Sequence, residues 1–233
     1  MRNIEKIIEE MIPDKAEYII GYADMDNLLK PFHNFRYAIS IAKKLDDEVI
    51  NLIENGPTIE YYDIYNSANI DLNNLADKIS FKLNELGITN KPIKATVFEN
   101  ELDENYQKEL KYHTSHKMVA TRAGIGWIGK TDLLISKKFG PRIRLASILT
   151  DYRFKELGVP IIKSQCKACN LCVLKCPAKA ANGKPWDVTT ERDEFYNPFK
   201  CRNKCRELSE HKINKEISIC GVCISVCPKG KTK

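Results

Sequence analysis

Nine cysteines are present, and all of them lie between Cys166 and Cys227. They open as Cys166-x-x-Cys169-x-x-Cys172-x-x-x-Cys176-Pro177 and close as Cys220-x-x-Cys223-x-x-x-Cys227-Pro228, with Cys201 and Cys205 in between. Short spacers let three thiolates converge on one corner of a [4Fe–4S] cube. The proline after the last cysteine of each run ends the local turn and sends that thiol elsewhere. Two runs imply two cubes close enough to exchange electrons.

The first run has the spacing of bacterial ferredoxins, in which the fourth cysteine crosses to the neighbouring cluster. By that rule one cluster takes Cys166, Cys169, Cys172 and the distant Cys227. The other takes Cys176, Cys220, Cys223 and either Cys201 or Cys205. Cys201, which follows the turn-like Tyr196-Asn197-Pro198-Phe199-Lys200, is the preferred eighth ligand, leaving Cys205 to packing. Structural zinc is the blander alternative. It normally takes two C-x-x-C pairs per metal rather than three cysteines followed by Cys-Pro, twice over. A disulfide framework suits an exported chain, whereas this one opens with the charged Met1-Arg2-Asn3-Ile4-Glu5-Lys6 and contains no run able to span a membrane. A reducing cytoplasm is the expectation.

A second chemical stretch precedes the cysteines, running from Tyr112-His113-Thr114-Ser115-His116 to Gly124-Ile125-Gly126-Trp127-Ile128-Gly129-Lys130. Its glycines permit positive φ and close backbone approach to a flat ligand; the blander reading is a tight bend packed under a sheet. It satisfies the bare dinucleotide spacing, but a helix rather than a strand precedes it, and it also misses the phosphate-loop pattern. Gly124, Gly126, Trp127, Gly129 and Lys130 are the candidate cofactor contacts. His113 and His116 are candidates for catalysis or cofactor contact, with Tyr112 a further proton donor. A lone histidine is more often a hydrogen-bonded structural residue, and Lys130 could equally be solvated. Arg142 and Arg144 suit either anion contact or a solvated sheet face.

The elements that must position these groups read as mixed α and β. Ile4, Ile7, Ile8 and Met11 mark a short helix ended by Pro13, and residues 18–22 and 37–41 read as strands. Asp46 or Asp47 caps a helix carrying Val49, Ile50 and Ile53. Leu72, Leu75, Ala76, Ile79, Leu83 and Leu86 trace a long amphipathic helix that stops at Gly87. Residues 93–98, 133–136 and 143–149 read as further strands, the last two joined through Phe139-Gly140-Pro141-Arg142. The fold class is α+β: a mixed α/β sandwich over 1–155 that binds a cofactor or partner, then a ferredoxin-like double-cluster module over 156–233.

With 43% hydrophobic and 29% charged residues the composition is that of an ordinary soluble protein. Charge is unevenly placed. Residues 152–233 carry 17 Lys and Arg against 8 Asp and Glu, net +9, within a chain total of +6. A basic domain invites a nucleic-acid reading. Each cube with four thiolates carries roughly −2, however, so the lysines more simply balance clusters and receive an acidic electron donor of ferredoxin or flavodoxin type.

Ala123-Gly124-Ile125-Gly126-Trp127-Ile128-Gly129-Lys130, Leu133-Leu134-Ile135, Gly140, Leu149-Thr150-Asp151 and the two cysteine runs together resemble the epoxyqueuosine reductase family. The resemblance is specific over residues 110–233 and looser before them. It implies two [4Fe–4S] clusters and a cobalamin acting on a modified tRNA base, on a core shared with corrinoid reductive dehalogenases. It further implies that the Ala-Gly-x-Gly-Trp segment lines the corrinoid pocket and that the nearer cluster reduces cobalt. Two departures stand out. Where the family carries a catalytic aspartate this register gives Leu110, and no acid lies between Glu109 and Asp132. The helical-repeat extension that helps hold tRNA has no counterpart, so tRNA is not expected as the substrate.

Two functions follow. One is an oxidoreductase passing electrons through two [4Fe–4S] clusters to a cofactor, cobalamin before flavin, or to a small-molecule or protein acceptor in the N-terminal part. The other is a non-catalytic electron-transfer or maturation partner using the same clusters.

Overall fold

The computed structural model describes residues 3–26, 28, 34–97 and 101–231. The chain forms two compact units. The first takes Met1–Lys44, Ser67–Ile125 and Arg144–Ile161; the second takes Leu45–Asn66, Gly126–Ile143 and Ile162–Lys233. The sequence suggests one boundary, at 155/156. The second compact unit has its C-terminal part from Ile162 and includes two earlier stretches, which periodicity alone does not reveal.

The first unit is a four-stranded sheet in the order β1-β2-β6-β3. It is built from β1 (Tyr18–Asp24), β2 (Tyr37–Lys44), β3 (Asn90–Ile93) and β6 (Ile143–Thr150). β1 and β2 run antiparallel with Tyr22 opposite Ile39 and Gly21 opposite Ser40. Period-two alternation sorts the residues between two faces. Tyr37, Ile39 and Ile41 join the main core with Ile4 and Ile8 of α1 (Ile4–Glu10) and Leu72, Leu75, Ala76, Ile79 and Leu83 of α3 (Ile59–Glu85). Each of the Ile and Leu side chains contributes about 1.5–3 kcal/mol on burial. Ala38, Ser40 and Ala42 lie between them in sequence and are also buried, and α5 (His116–Arg122) packs on β1 and β2. Small residues let it approach closely, since a Cβ on Gly21 would lie 3.2 Å from Ala123 Cβ.

α3 begins well before the apolar stripe predicted for it, because Thr58 Oγ1 accepts from the Tyr61 amide at its start. It closes where Gly87 takes φ +75°. The strand expected over 93–98 is displaced: β3 pairs with β6 only over Asn90–Ile93. Beyond it the Ala95 amide is taken by Asn73 Oδ1 at 2.8 Å, which withdraws it from the ladder. Phe98 lies outside the described residues. A short helix α4 (Glu104–Glu109) is capped by Asp103 and ends at Leu110 in the left-handed region.

The second unit carries α2 (Asp47–Leu52), capped by Asp46. A hairpin follows, made of β4 (Gly126–Ile128) and β5 (Leu134–Ser136). The helices α6 (Leu171–Leu174), α7 (Arg192–Phe195), α8 (Pro198–Ile213) and α9 (Val222–Ser225) complete it. β5 does not join β6 in one sheet as a reading of two linked strands suggests; it folds back antiparallel on β4, pairing Trp127 with Ile135. Arg142 is 1% exposed and bonds Asp47 Oδ1 at 2.8 Å and Asn51 Oδ1 at 2.7 Å, so it ties the loop to α2 instead of facing solvent or an anion. Arg144, in the first unit, is spent on Asn69 Oδ1 and Thr96 Oγ1. Among the described residues no helix is long and apolar enough to cross a membrane.

Candidate metal centre

The thiols of the second unit fall into two neighbourhoods, and local rules explain how each is built. α6 sits inside the first run and α9 inside the second, and the two helices pack together. Gly221 starts α9 with φ +81°, and a Cβ there would meet Ile53 Cδ1 at 2.2 Å, so only glycine lets this run settle on α2's C-terminal flank. Cys227, at the far end of the chain, lies beside the first run. Burial pushes its thiol up to about 11, and Cys172, Cys166 and Cys169 add to the rise. Burial likewise raises Cys172, against a hydrogen bond from Thr131 that favours its thiolate.

The second neighbourhood gathers Cys201, Cys205, Cys220 and Cys223, with Cys176 close by. Cys223 is half-buried, and its thiol is driven up by desolvation first, then by Cys201, Cys220, Cys172 and Cys176. The Cys176 sulfur accepts the Ala180 amide at 3.5 Å. α8 is started by Pro198 at its first turn and by Asn197, whose Oδ1 accepts from the Lys200 amide at 2.9 Å. From that start Cys201, Cys205, Ser209 and Ile213 recur every four residues and share one face. The Cys201 and Cys205 sulfurs are 3.8 Å apart. Cys205 also bonds Cys220, and these contacts hold the Cys205 thiol protonated while lowering Cys201 and Cys220. The Tyr196 phenol, raised chiefly by burial, bonds Cys201 as well.

The glycine turn belongs to this thiol-rich unit from Gly126 onward. A Cβ on Gly126 would lie 2.2 Å from the Ile135 carbonyl oxygen, so glycine is needed for the hairpin strands to close. Gly124, with φ +70°, lies in the first unit beneath the Val159 backbone, and Gly129 packs on the Ile135 side chain. Trp127 is buried, and its Nε1 donates to Cys166 Sγ at 3.4 Å. Lys130 is 4% exposed, and its ammonium donates to the Lys167 carbonyl at 3.0 Å and to Asn170 Oδ1 at 2.7 Å. It is therefore neither solvated nor aimed at a phosphate. One hairpin thus delivers an indole, an ammonium and, through Thr131, a hydroxyl to the loop of the first cysteine run.

The candidate catalytic residues lie in the first unit and differ sharply from one another. His116 has both ring nitrogens occupied, Nδ1 with Ser147 Oγ and Nε2 with the Lys94 carbonyl, each at 2.9 Å. Since a carbonyl only accepts, Nε2 carries the proton and Nδ1 accepts from Ser147. Burial pulls its pKa down to about 4, so the ring is neutral at ordinary pH. That is a structural histidine, with no ring nitrogen left for a substrate. His113 is exposed and stands 3.7 Å from Asp103, with the exposed Tyr112 ring beside it.

Among the described residues no three His, Cys, Asp or Glu side chains converge on one point as a mononuclear site requires. A cube makes no such demand, because each of its four thiolates holds a separate iron. Nine free thiols, no disulfide and two groups of neighbouring sulfurs with donors aimed at them fit that chemistry. Nothing in the sequence singles out Thr131, Asn170 or a sulfur-bonding role for Tyr196. The one available signal is Tyr196 immediately before the Asn197-Pro198 helix start.

No family model matches the chain. It has relatives named epoxyqueuosine reductase at about 30% identity over half its length, among them one from Atelocyanobacterium thalassa that is 34% identical over 116 residues. That match takes in 49% of this chain and 37% of the relative, so the chain spans about a third of the curated relatives it matches. The fold is shared with two kinds of solved protein. A reductive dehalogenase structure described in terms of B12-dependent dehalogenation matches with TM-score 0.67 and 17% identity, over 92% of this chain and 30% of that one. A selenomethionine-labelled epoxyqueuosine reductase matches with TM-score 0.58 and 18% identity, over 97% of this chain and 66% of that one. The protein is thus a mixed α/β chain with oxidoreductase relatives.

Proposed function

We propose that the protein is an iron–sulfur oxidoreductase that moves electrons through two [4Fe–4S] clusters held in a ferredoxin-like arrangement. Cys166, Cys169, Cys172 and Cys227 hold the first, and Cys176, Cys201, Cys220 and Cys223 the second. The observation that carries the proposal is the return of Cys227 to the first run, with Trp127 and Thr131 donating to sulfurs of that same group. When bound, each cluster supplies one-electron storage. The chain's own residues bury it, balance its charge with Lys130 and set its potential through donors to sulfur.

For the acceptor, the residues expected from the sequence to contact a corrinoid do not offer an open cradle. Gly124 and Gly126 face protein backbone, and Trp127 and Lys130 are engaged with the first cysteine run. The second reading, an electron-transfer or maturation partner without chemistry of its own, is favoured by this closed turn and by Leu110 in the register of the family aspartate. In either case an acidic ferredoxin- or flavodoxin-type donor suits the basic second unit.

Anaerobic reconstitution tests both. About eight irons per chain with two [4Fe–4S] signals supports the cluster proposal; stoichiometric zinc with negligible iron overturns it. A corrinoid or flavin that then shifts its absorption spectrum on titration selects the enzyme, and the lack of any shift selects the partner protein.

A further inference from the structure

We infer that Cys205, the ninth cysteine, is a positioning residue that donates a hydrogen bond to ligands of the second cluster and thereby sets that cluster's reduction potential. The inference rests on the two-cluster proposal but reaches a residue that the ligand count leaves over. Cys205 lies one helical turn after Cys201 on α8, with the two sulfurs 3.8 Å apart. It touches Cys220 as well, so it stands between two of the four thiols assigned to that cluster. Four ligands of one cube occupy four separate corners, each on its own iron. A thiol in hydrogen-bonding contact with two of them stands behind those corners instead of at one. Cys176, Cys201, Cys220 and Cys223 already supply the four in the proposed assignment.

The setting suits a permanent donor. Cys205 is 7% exposed, leaving little room for water to take its place. Two turns of α8 lock it in orientation, since Ser209 on the same face donates to the Ile219 carbonyl at 2.8 Å. On the other side Cys201 is bonded by the Tyr196 phenol, so its sulfur has two donor neighbours. Reduction adds negative charge to the cluster and its thiolates. A donor to those sulfurs stabilises the reduced state more than the oxidised one and raises the potential. A single S–H shared between two thiolates does this without adding a ligand.

The test compares Cys205→Ala, Cys205→Ser and Cys201→Ala in the reconstituted full chain, reading iron content and the midpoint potential of each cluster by EPR-monitored titration. Cys205→Ala is expected to keep both clusters, shift the second midpoint to a more negative value and leave the first unchanged. Cys205→Ser keeps a donor and is expected to lie nearer wild type. Cys201→Ala is expected to lose about half the iron. Full iron in Cys201→Ala would make Cys205 the ligand and overturn the inference, whether or not Cys205→Ala folds. An unshifted second midpoint in an iron-replete Cys205→Ala overturns it too. Wild-type protein that takes up no iron refutes the cluster proposal itself, which is a separate outcome.

Discussion

The indole of Trp127 donates to the sulfur of Cys166 at 3.4 Å, joining a three-residue strand to the first cysteine of a run far along the chain. Trp127→Phe keeps an aromatic ring smaller than the indole and removes the donor. A net hydrogen bond is worth about 0.5–1.5 kcal/mol and the void left by the smaller ring adds to it, so stability is expected to fall by at least that much. Iron content should stay at the wild-type level while the midpoint of one cluster moves negative. Equal midpoints for both clusters in the variant and wild type would show that the contact does not act on a cluster.

Lys130 contributes differently, by satisfying two acceptors inside the loop of the first run. Lys130→Met removes two hydrogen bonds to residues that water can reach, Lys167 and Asn170, at a net cost of about 0.5–1.5 kcal/mol each. Thermal denaturation of the apo protein checks the stability. Iron loss on dilution checks the site and is expected to empty one cluster before the other.

Gly126 has no room for a methyl group, because Ile135 carbonyl oxygen would lie 2.2 Å from its Cβ. Gly126→Ala forces the hairpin strands apart and is expected to cost about 1–3 kcal/mol, the range for overpacked interiors. A denaturant midpoint equal to wild type would refute the close approach.

His116 gives a pH dependence with a definite sign. Its folded pKa is lowered to about 4 from an ordinary 6.5, so the unfolded chain binds the extra proton first. Its contribution is complete above about pH 6.5 and is lost as pH falls towards 4, by at most about 3 kcal/mol. Urea denaturation of wild type and His116→Asn at pH 7 and pH 4.5 isolates the effect. The gap in stability between them should narrow at the lower pH.

Cys227→Ala tests the crossing. Its near neighbours in sequence are Cys220 and Cys223, yet its thiol senses Cys172, Cys166 and Cys169. The variant is expected to lose the cluster of the first run, about half the iron, and to retain the second. Loss of the second cluster's signal instead would reverse the assignment.

What the sequence discloses here follows the range of the interaction. Cysteine runs are local patterns, so their grouping can be read before any fold is known. The helices were also legible wherever apolar residues repeat on one face, as from Leu72 to Leu83 in α3. β4 is not legible in the sequence, because three residues beginning with Gly126 are too few to show alternation. The partners of Trp127, Lys130 and Thr131 depend on how a hairpin meets a loop some forty residues away, and no periodicity records that. Even so, Lys130 stands between apolar Ile128 and Leu133, a hint of burial that charge alone conceals. The chemistry of His116 suggests a catalytic role, but the Ser147 hydroxyl and the Lys94 carbonyl occupy both its ring nitrogens.

The thiol-rich unit is assembled from three separated stretches, Leu45–Asn66, Gly126–Ile143 and Ile162–Lys233. It therefore cannot be excised or transplanted as a linear cassette. A fragment beginning at residue 162 would carry every thiol but lack the indole, the ammonium and the hydroxyl of the hairpin, as well as the α2 flank against which Gly221 settles. Recombination that shuffles contiguous segments would break it at either junction. During synthesis the hairpin emerges from the ribosome before any of the cysteines it serves, and it must wait for the last of them, Cys227, before its partner group is complete.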